Sequence, residues 1–135
     1  MTAIDTSVCV PALASWHEQH DTCRRAAAGA SIPGHALLET YSVLTRMPAP
    51  LRLPAETAHA LLRRWFPRDR VLVAPAALQR EALERLYAAG ISGGAVYDGL
   101  IALIVKDHGD RLTTFDQRAV RTYEALGVDF ELIGS

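Results

Sequence analysis

Lysine is almost absent from this chain. Lys106 is the only one among 135 residues, so positive charge rests on arginine; that habit is compositional and names no function by itself. Cysteine is nearly as scarce. Cys9 and Cys23 are the only two, and neither sits in a CxxC pair. This excludes a disulfide framework and a zinc ribbon, and leaves both as small buried hydrophobes. No apolar stretch reaches 18 residues without a charge, which argues against a membrane span. No basic segment followed by an apolar run opens the sequence, so it reads as soluble and cytoplasmic, without a membrane. There is no Gly/Ser linker, repeat or low-complexity block, and residues 1–135 read as a single domain.

What is present is apolar bulk and unevenly placed charge. Half the residues are hydrophobic, enough for one core without staples. The net charge is −1, but residues 1–80 carry nine arginines against six acids, and residues 81–135 carry five basic residues against nine acids. Arg46, Arg52, Arg63, Arg64, Arg68 and Arg70 concentrate the positive charge. Such a cluster attracts phosphates, or is simply a solvated surface.

Short apolar segments alternate with helical ones. Strands are expected at Thr2–Ile4, Ser31–Pro33, Val71–Val73, Arg111–Thr114 and Val128–Ile133. Helices are expected over Ala12–Ala28, Ala36–Arg46, Pro54–Trp65, Pro75 to about Gly90, Val96–Lys106 and Gln117–Leu126. Prolines open two of them, and Gly127 closes the last. Strands separated by helices imply an α/β fold, a three-layer α/β/α sandwich around a parallel sheet.

Four acids fall where such a sheet gathers ligands. Asp5 follows Ala3-Ile4 at the carboxyl end of the first strand, beside the Thr6 and Ser7 hydroxyls. It could equally cap a turn. Glu39 borders the apolar arc of its helix, a position shared by snorkelling boundary residues. Asp98 enters a helix that is apolar nearly all round, with no cation near it in sequence. A first-turn acid is also favoured there by the helix dipole. Asp116 follows Leu112–Phe115 and could be a ligand, the N-cap of the helix after it, or both. Four gathered carboxylates repel unless cations neutralise them. Oxygen-only ligands favour Mg²⁺ or Mn²⁺ over zinc, and the matching chemistry is metal-assisted phosphodiester hydrolysis.

Taken in order, Ile4-Asp5-Thr6-Ser7, Glu39, SGGAVYDGLIA around Asp98 and LTTFDQRA around Asp116 resemble PIN domains. The likeness is strongest to the VapC toxins of bacterial type II toxin–antitoxin systems, and it covers essentially the whole chain. It implies a PIN-like fold and a Mg²⁺-dependent endoribonuclease. The metal site would be formed by Asp5, Glu39, Asp98 and Asp116, with Ser7 and Thr114 as supporting hydroxyls. It further implies a homodimer, a cognate antitoxin lying in the active-site groove, and structured RNA such as tRNA or ribosomal RNA as substrate. Arg46, Arg52, Arg63, Arg64 and Arg68 then become candidates for RNA contacts at the rim of the site.

Two rivals stand beside this reading. One is a PIN-like nuclease acting on a DNA flap or in rRNA processing. The other is a non-catalytic RNA-binding module, which has no use for repelling acids. His17 and His20 have HxxH spacing, but no further His or Cys clusters near them, and they read as a solvated helix face. Trp16 and Trp65 read as packing residues, with Trp65 also available to a partner or RNA.

Overall fold

The computed structural model describes residues 1–134. Its strands are β1 (Thr2–Ile4), β2 (Ile32–Pro33), β3 (Val71–Leu72), β4 (Arg111–Thr114) and β5 (Phe130–Leu132). Its helices are α1 (Thr6–Leu13), α2 (His20–Ala27), α3 (Gly34–Arg46), α4 (Ala55–Trp65), α5 (Ala76–Ala88), α6 (Ala95–Asp107) and α7 (Val120–Leu126). Short 3₁₀ turns, Arg68–Arg70 and Gln117–Ala119, lead into β3 and α7.

Every strand pairing among the described residues is parallel. β1, β4 and β5 form one ladder and β2 and β3 another. A parallel bridge from Ala3 to Ser31 joins them, with Ile4 N–H donating to Ser31 O at 2.9 Å and Ser31 N–H to Thr2 O at 3.0 Å. The spatial order is therefore β3-β2-β1-β4-β5. β1 is central, which is why Ala3 and Ile4 are fully buried. The order reverses between β1 and β4. In open parallel sheets that switch point leaves a crevice beyond the carboxyl ends of the strands.

The helices cover the sheet through spaced apolar residues. α5 buries Leu78, Ala82 and Leu86, four residues apart, as an amphipathic helix should. α6 buries residues 99 and 101–105 on nearly every side, and is the central helix its composition foretells. Gly99 lets it approach α5, because a Cβ there would collide with the Leu86 side chain. Lys106, at the end of α6, donates from Nζ to Leu126 O at 3.2 Å, next to the left-handed Gly127 that ends α7.

Three sequence expectations need correction. The helix expected over Ala12–Ala28 is two helices, and the first of them, α1, begins at Thr6, directly after β1. Asp5 N-caps it by accepting from Ser7 N–H at 3.0 Å, and Pro11 lies inside it rather than at its mouth. The chain turns at Ala14–Gln19, where His17 Nδ1 accepts from Gln19 N–H at 3.0 Å and His20 Nδ1 pairs with Pro11 O at 2.8 Å. Those local bonds occupy the two histidines of the HxxH spacing. Second, the buried strand Val71–Val73 stops at Leu72: β3 is an edge strand paired only with β2, and Val73 lies past the ladder, 62% exposed. Third, Trp16 is 44% exposed rather than packed. Trp65 is partly buried against the core and carries the Arg24 guanidinium 5.7 Å from its ring centre. Among the described residues, no helix is long and apolar enough to cross a membrane.

Candidate active site

The two strands flanking the switch point each end in an acid. Asp5 follows β1 and Asp116 follows β4, and the register pairs Ile4 with Thr113. Glu39 reaches the same region from the second turn of α3, and Asp98 from the first turn of α6. The four line one cleft of about 360 Å³, together with Thr6, Ser7, Val10, Pro11, Val43 and Ile101. Residues spread from position 5 to position 116 thus converge on one carboxyl edge.

Each acid has its own setting. Asp5 is buried and fully engaged: Oδ1 accepts from the Ser7 backbone N–H and hydroxyl, and Oδ2 accepts from the Tyr123 hydroxyl at 2.7 Å. Burial raises its pKa, and the Ser7, Thr114 and Tyr123 hydroxyls and Val8 N–H pull against that rise. The Ser7 hydroxyl also accepts from Phe115 N–H at 2.8 Å and lies 3.3 Å from Thr114 Oγ1. Thr114 Oγ1 in turn accepts from Asp116 N–H at 3.1 Å. Ser7 and Thr114 therefore tie the ends of β1 and β4 together.

Glu39 is exposed, and its Oε1 accepts a short hydrogen bond from the Thr6 hydroxyl. Asp116 accepts from Arg118 N–H at 2.9 Å and pairs with Arg118 Nε at 3.5 Å, so its capping role is real. Asp98 shows the crowding of negative charge most clearly. Its pKa is pushed up to about 6, first by burial and then by the charges of Asp5, Asp116 and Glu39, with Arg118 opposing. The mutual repulsion expected of clustered acids is thus visible at one of them.

Among the described residues, no three His, Cys, Asp or Glu side chains stand close enough to grip an ion as they are. Asp5, Glu39 and Asp116 each accept hydrogen bonds from protein donors. The donor set is nevertheless all oxygen and anionic, and these four residues are the ones that could hold a hard divalent cation.

Tyr123 and Arg118 escaped the sequence reading. Tyr123 is fully buried in α7, and only its hydrogen bond to Asp5, 118 residues away, reveals a role. Arg118 could have been noticed from its spacing of two after Asp116. The five arginines expected at the rim do not line the cleft. Arg46 bonds Ser42 Oγ at 2.7 Å, and Arg52 bonds Met47 O at 2.8 Å. Arg63 borders an apolar groove with Leu37, Leu38, Tyr41, His59 and Leu62, whereas Arg64 lies beside Arg24 and Trp65. Arg68 is in the turn entering the amino end of β3, at the sheet edge opposite the acids. Nearness to Glu39 in sequence does not by itself bring a side chain into the cleft.

Residues 2–125 match the PIN domain model, and the chain belongs to that family. Among curated relatives, it is 42% identical to ribonuclease VapC40 of Mycobacterium tuberculosis over 134 residues, 98% of this chain and 99% of that one. It is 44% identical to ribonuclease VapC27 of the same organism, over 93% of this chain and 92% of the relative. Among solved structures, M. tuberculosis VapC20, described as a sarcin-ricin loop cleaving toxin, aligns with a TM-score of 0.69 at 22% identity, covering 95% of this chain and 96% of that one. VapBC2 from Rickettsia felis, bound to a DNA fragment from its promoter, aligns at 0.68 with 14% identity over 98% of both chains. At those identities the structural likeness speaks for the fold: a central parallel sheet flanked by helices.

Proposed function

We propose that this chain is a divalent-metal-dependent endoribonuclease, the toxin of a type II toxin–antitoxin system, formed by one PIN domain over residues 1–135. Near-full-length identity to proteins named as VapC ribonucleases supports the activity. The observation that carries the site is the meeting of Asp5, Glu39, Asp98 and Asp116 in one cleft, where burial and the neighbouring acids raise the Asp98 pKa. Such an arrangement is costly for the fold alone and suited to a cation.

Asp5, Glu39, Asp98 and Asp116 would hold Mg²⁺ or Mn²⁺, with Ser7 and Thr114 fixing the strand ends from which two of them project. The ion supplies positive charge for the scissile phosphate and lowers the pKa of an attacking water. The chain's own work is positional. Thr6 aims Glu39, and Ser7 and Tyr123 hold both oxygens of Asp5. The apolar side chains Val10, Pro11, Val43 and Ile101 wall the cleft and limit water around the acids.

The substrate on this reading is RNA of the tRNA or ribosomal class, cut where its bases are unpaired. The partners are a cognate antitoxin and a second copy of the chain; the likeness to the R. felis VapBC2 structure supports the first. The five arginines are assigned to phosphates beyond the cleft. Cleavage of RNA by purified protein in Mg²⁺ or Mn²⁺, abolished in Asp5→Asn and in Asp98→Asn with the fold intact, is the expected result. Wild-type rates in either variant would refute the site.

A further inference from the structure

The helices that carry Glu39 and Asp98 begin with two rings lying face to face. His35 in the first turn of α3 and Tyr97 in the first turn of α6 have ring centres 5.0 Å apart and planes within 3° of parallel. Each is tied to an acid of the cleft. His35 precedes Glu39 by four residues, so the two share a helix face one turn apart. Tyr97 directly precedes Asp98. Tyr97 is also 55% exposed, although residues 101–105 of the same helix are buried. Packing against His35 therefore leaves much of a large aromatic ring open to solvent, at the start of the two helices that carry Glu39 and Asp98.

We propose that the His35–Tyr97 pair is a base-stacking platform: an unpaired nucleobase of the RNA lies on the free face of Tyr97. This rests on the ribonuclease reading and adds a binding subsite to it. The need for one follows from the charge distribution. The cleft is lined by four acids, and Arg46, Arg52, Arg63, Arg64 and Arg68 do not line it, so the charge a bound cation would offer the scissile phosphate leaves the neighbouring base without a charged anchor in the cleft. Stacking needs no such anchor, because every base presents a π face. It also selects unpaired bases, since a base in a duplex is already stacked on its neighbours. The subsite therefore sets which phosphodiester is presented, while affinity for the rest of the RNA comes from elsewhere.

The test compares Tyr97→Phe, which keeps the ring, with Tyr97→Leu, which keeps apolar bulk and loses it. Two readouts are used: quenching of 2-aminopurine placed in the loops of RNA hairpins, in Ca²⁺, and single-turnover cleavage of total tRNA and ribosomal RNA, in Mn²⁺. Tyr97→Phe should stay within about twofold of wild type on both. Tyr97→Leu should lose about tenfold in RNA affinity and most of the quenching. Its Mn²⁺ affinity and melting temperature should not change. Equal quenching and equal affinity in Tyr97→Leu, with wild-type protein active, would overturn the platform and leave the ribonuclease reading standing. So would a change in sedimentation of Tyr97→Leu without loss of RNA binding, which would give the ring to a protein interface. Wild-type protein that neither binds nor cuts RNA would overturn both.

Discussion

The Tyr123 hydroxyl donates a 2.7 Å hydrogen bond to Asp5 Oδ2, linking the last helix to the first acid across 118 residues of sequence. Both groups are buried, so each depends on the other rather than on solvent. With Oδ1 taken by Ser7, this bond completes the shell of a carboxyl whose pKa burial raises and these hydroxyls pull back down. Removing the hydroxyl should therefore cost more than an average hydrogen bond. Tyr123→Phe is expected to destabilise the metal-free protein by about 1–3 kcal/mol, measured by urea unfolding. A loss below about 0.5 kcal/mol would show that Asp5 does not depend on it.

Asp98 makes a pH prediction with a definite sign. Its folded pKa is raised from 3.8 to about 6. Below 3.8 the group is neutral whether the chain is folded or not. Between 3.8 and about 6 the folded chain keeps a proton that the unfolded chain has lost, so stability falls as pH rises through that window. Asp98→Asn removes this contribution. The variant should melt higher than wild type at about pH 7 without metal, and its melting temperature should fall less between about pH 4 and about pH 7. A residual slope remains from Asp5, also raised. Adding Mn²⁺ at about pH 7 should stabilise wild type and not the variant, because binding to the folded state alone raises the midpoint. Identical pH curves for the two proteins would count against the shared cleft charge.

Thr6 tests orientation separately from charge. Its hydroxyl bonds Glu39, which is otherwise exposed and free to swing. Thr6→Val removes the donor and keeps the shape. Stability should change by no more than about 1 kcal/mol, while RNA cleavage should drop about tenfold or more, as for other supports of metal ligands. An unchanged rate would mean that Glu39 finds its place unaided.

The arginines lie outside the cleft, which separates their effect from catalysis. Replacing Arg46, Arg63 and Arg64 together with alanine should weaken RNA binding and flatten its salt dependence, by about 0.7 log units of slope for each single-strand phosphate no longer neutralised. Saturated cleavage and Mn²⁺ affinity should stay at wild-type values, since none of the three lines the cleft with the acids. An unchanged salt slope, with antitoxin binding abolished instead, would assign these arginines to the partner.

Much of this site was legible because it is built on strand ends. Asp5 and Asp116 each follow a short apolar run, and parallel strands bring such ends to one edge whatever the loops do. Asp98 was legible as a charge entering an apolar helix, and burial with neighbouring charge is indeed what perturbs it. The first helix was misplaced because its start is set by a capping bond, from Ser7 N–H to Asp5, that begins it at Thr6 and carries it through Pro11. Tyr123 was illegible for a different reason. Its ring belongs to a core pattern, and a hydrogen bond spanning 118 residues leaves no trace in local spacing. That the arginines do not line the cleft was hidden likewise, since the direction in which α4 returns to β3 is a property of the packed fold.

The position of Lys106 has a practical side. It is the only lysine in the chain, and it stands at the end of α6, where it caps Leu126 O beside Gly127. That is the amino edge of the sheet, since β4 begins just beyond it and carries its acid at the far end. Amine coupling of a dye, bead or surface would thus have one side chain to take besides the terminal amine of Met1, which borders the same depression as Lys106, so both attachments leave the acidic cleft facing away from the support.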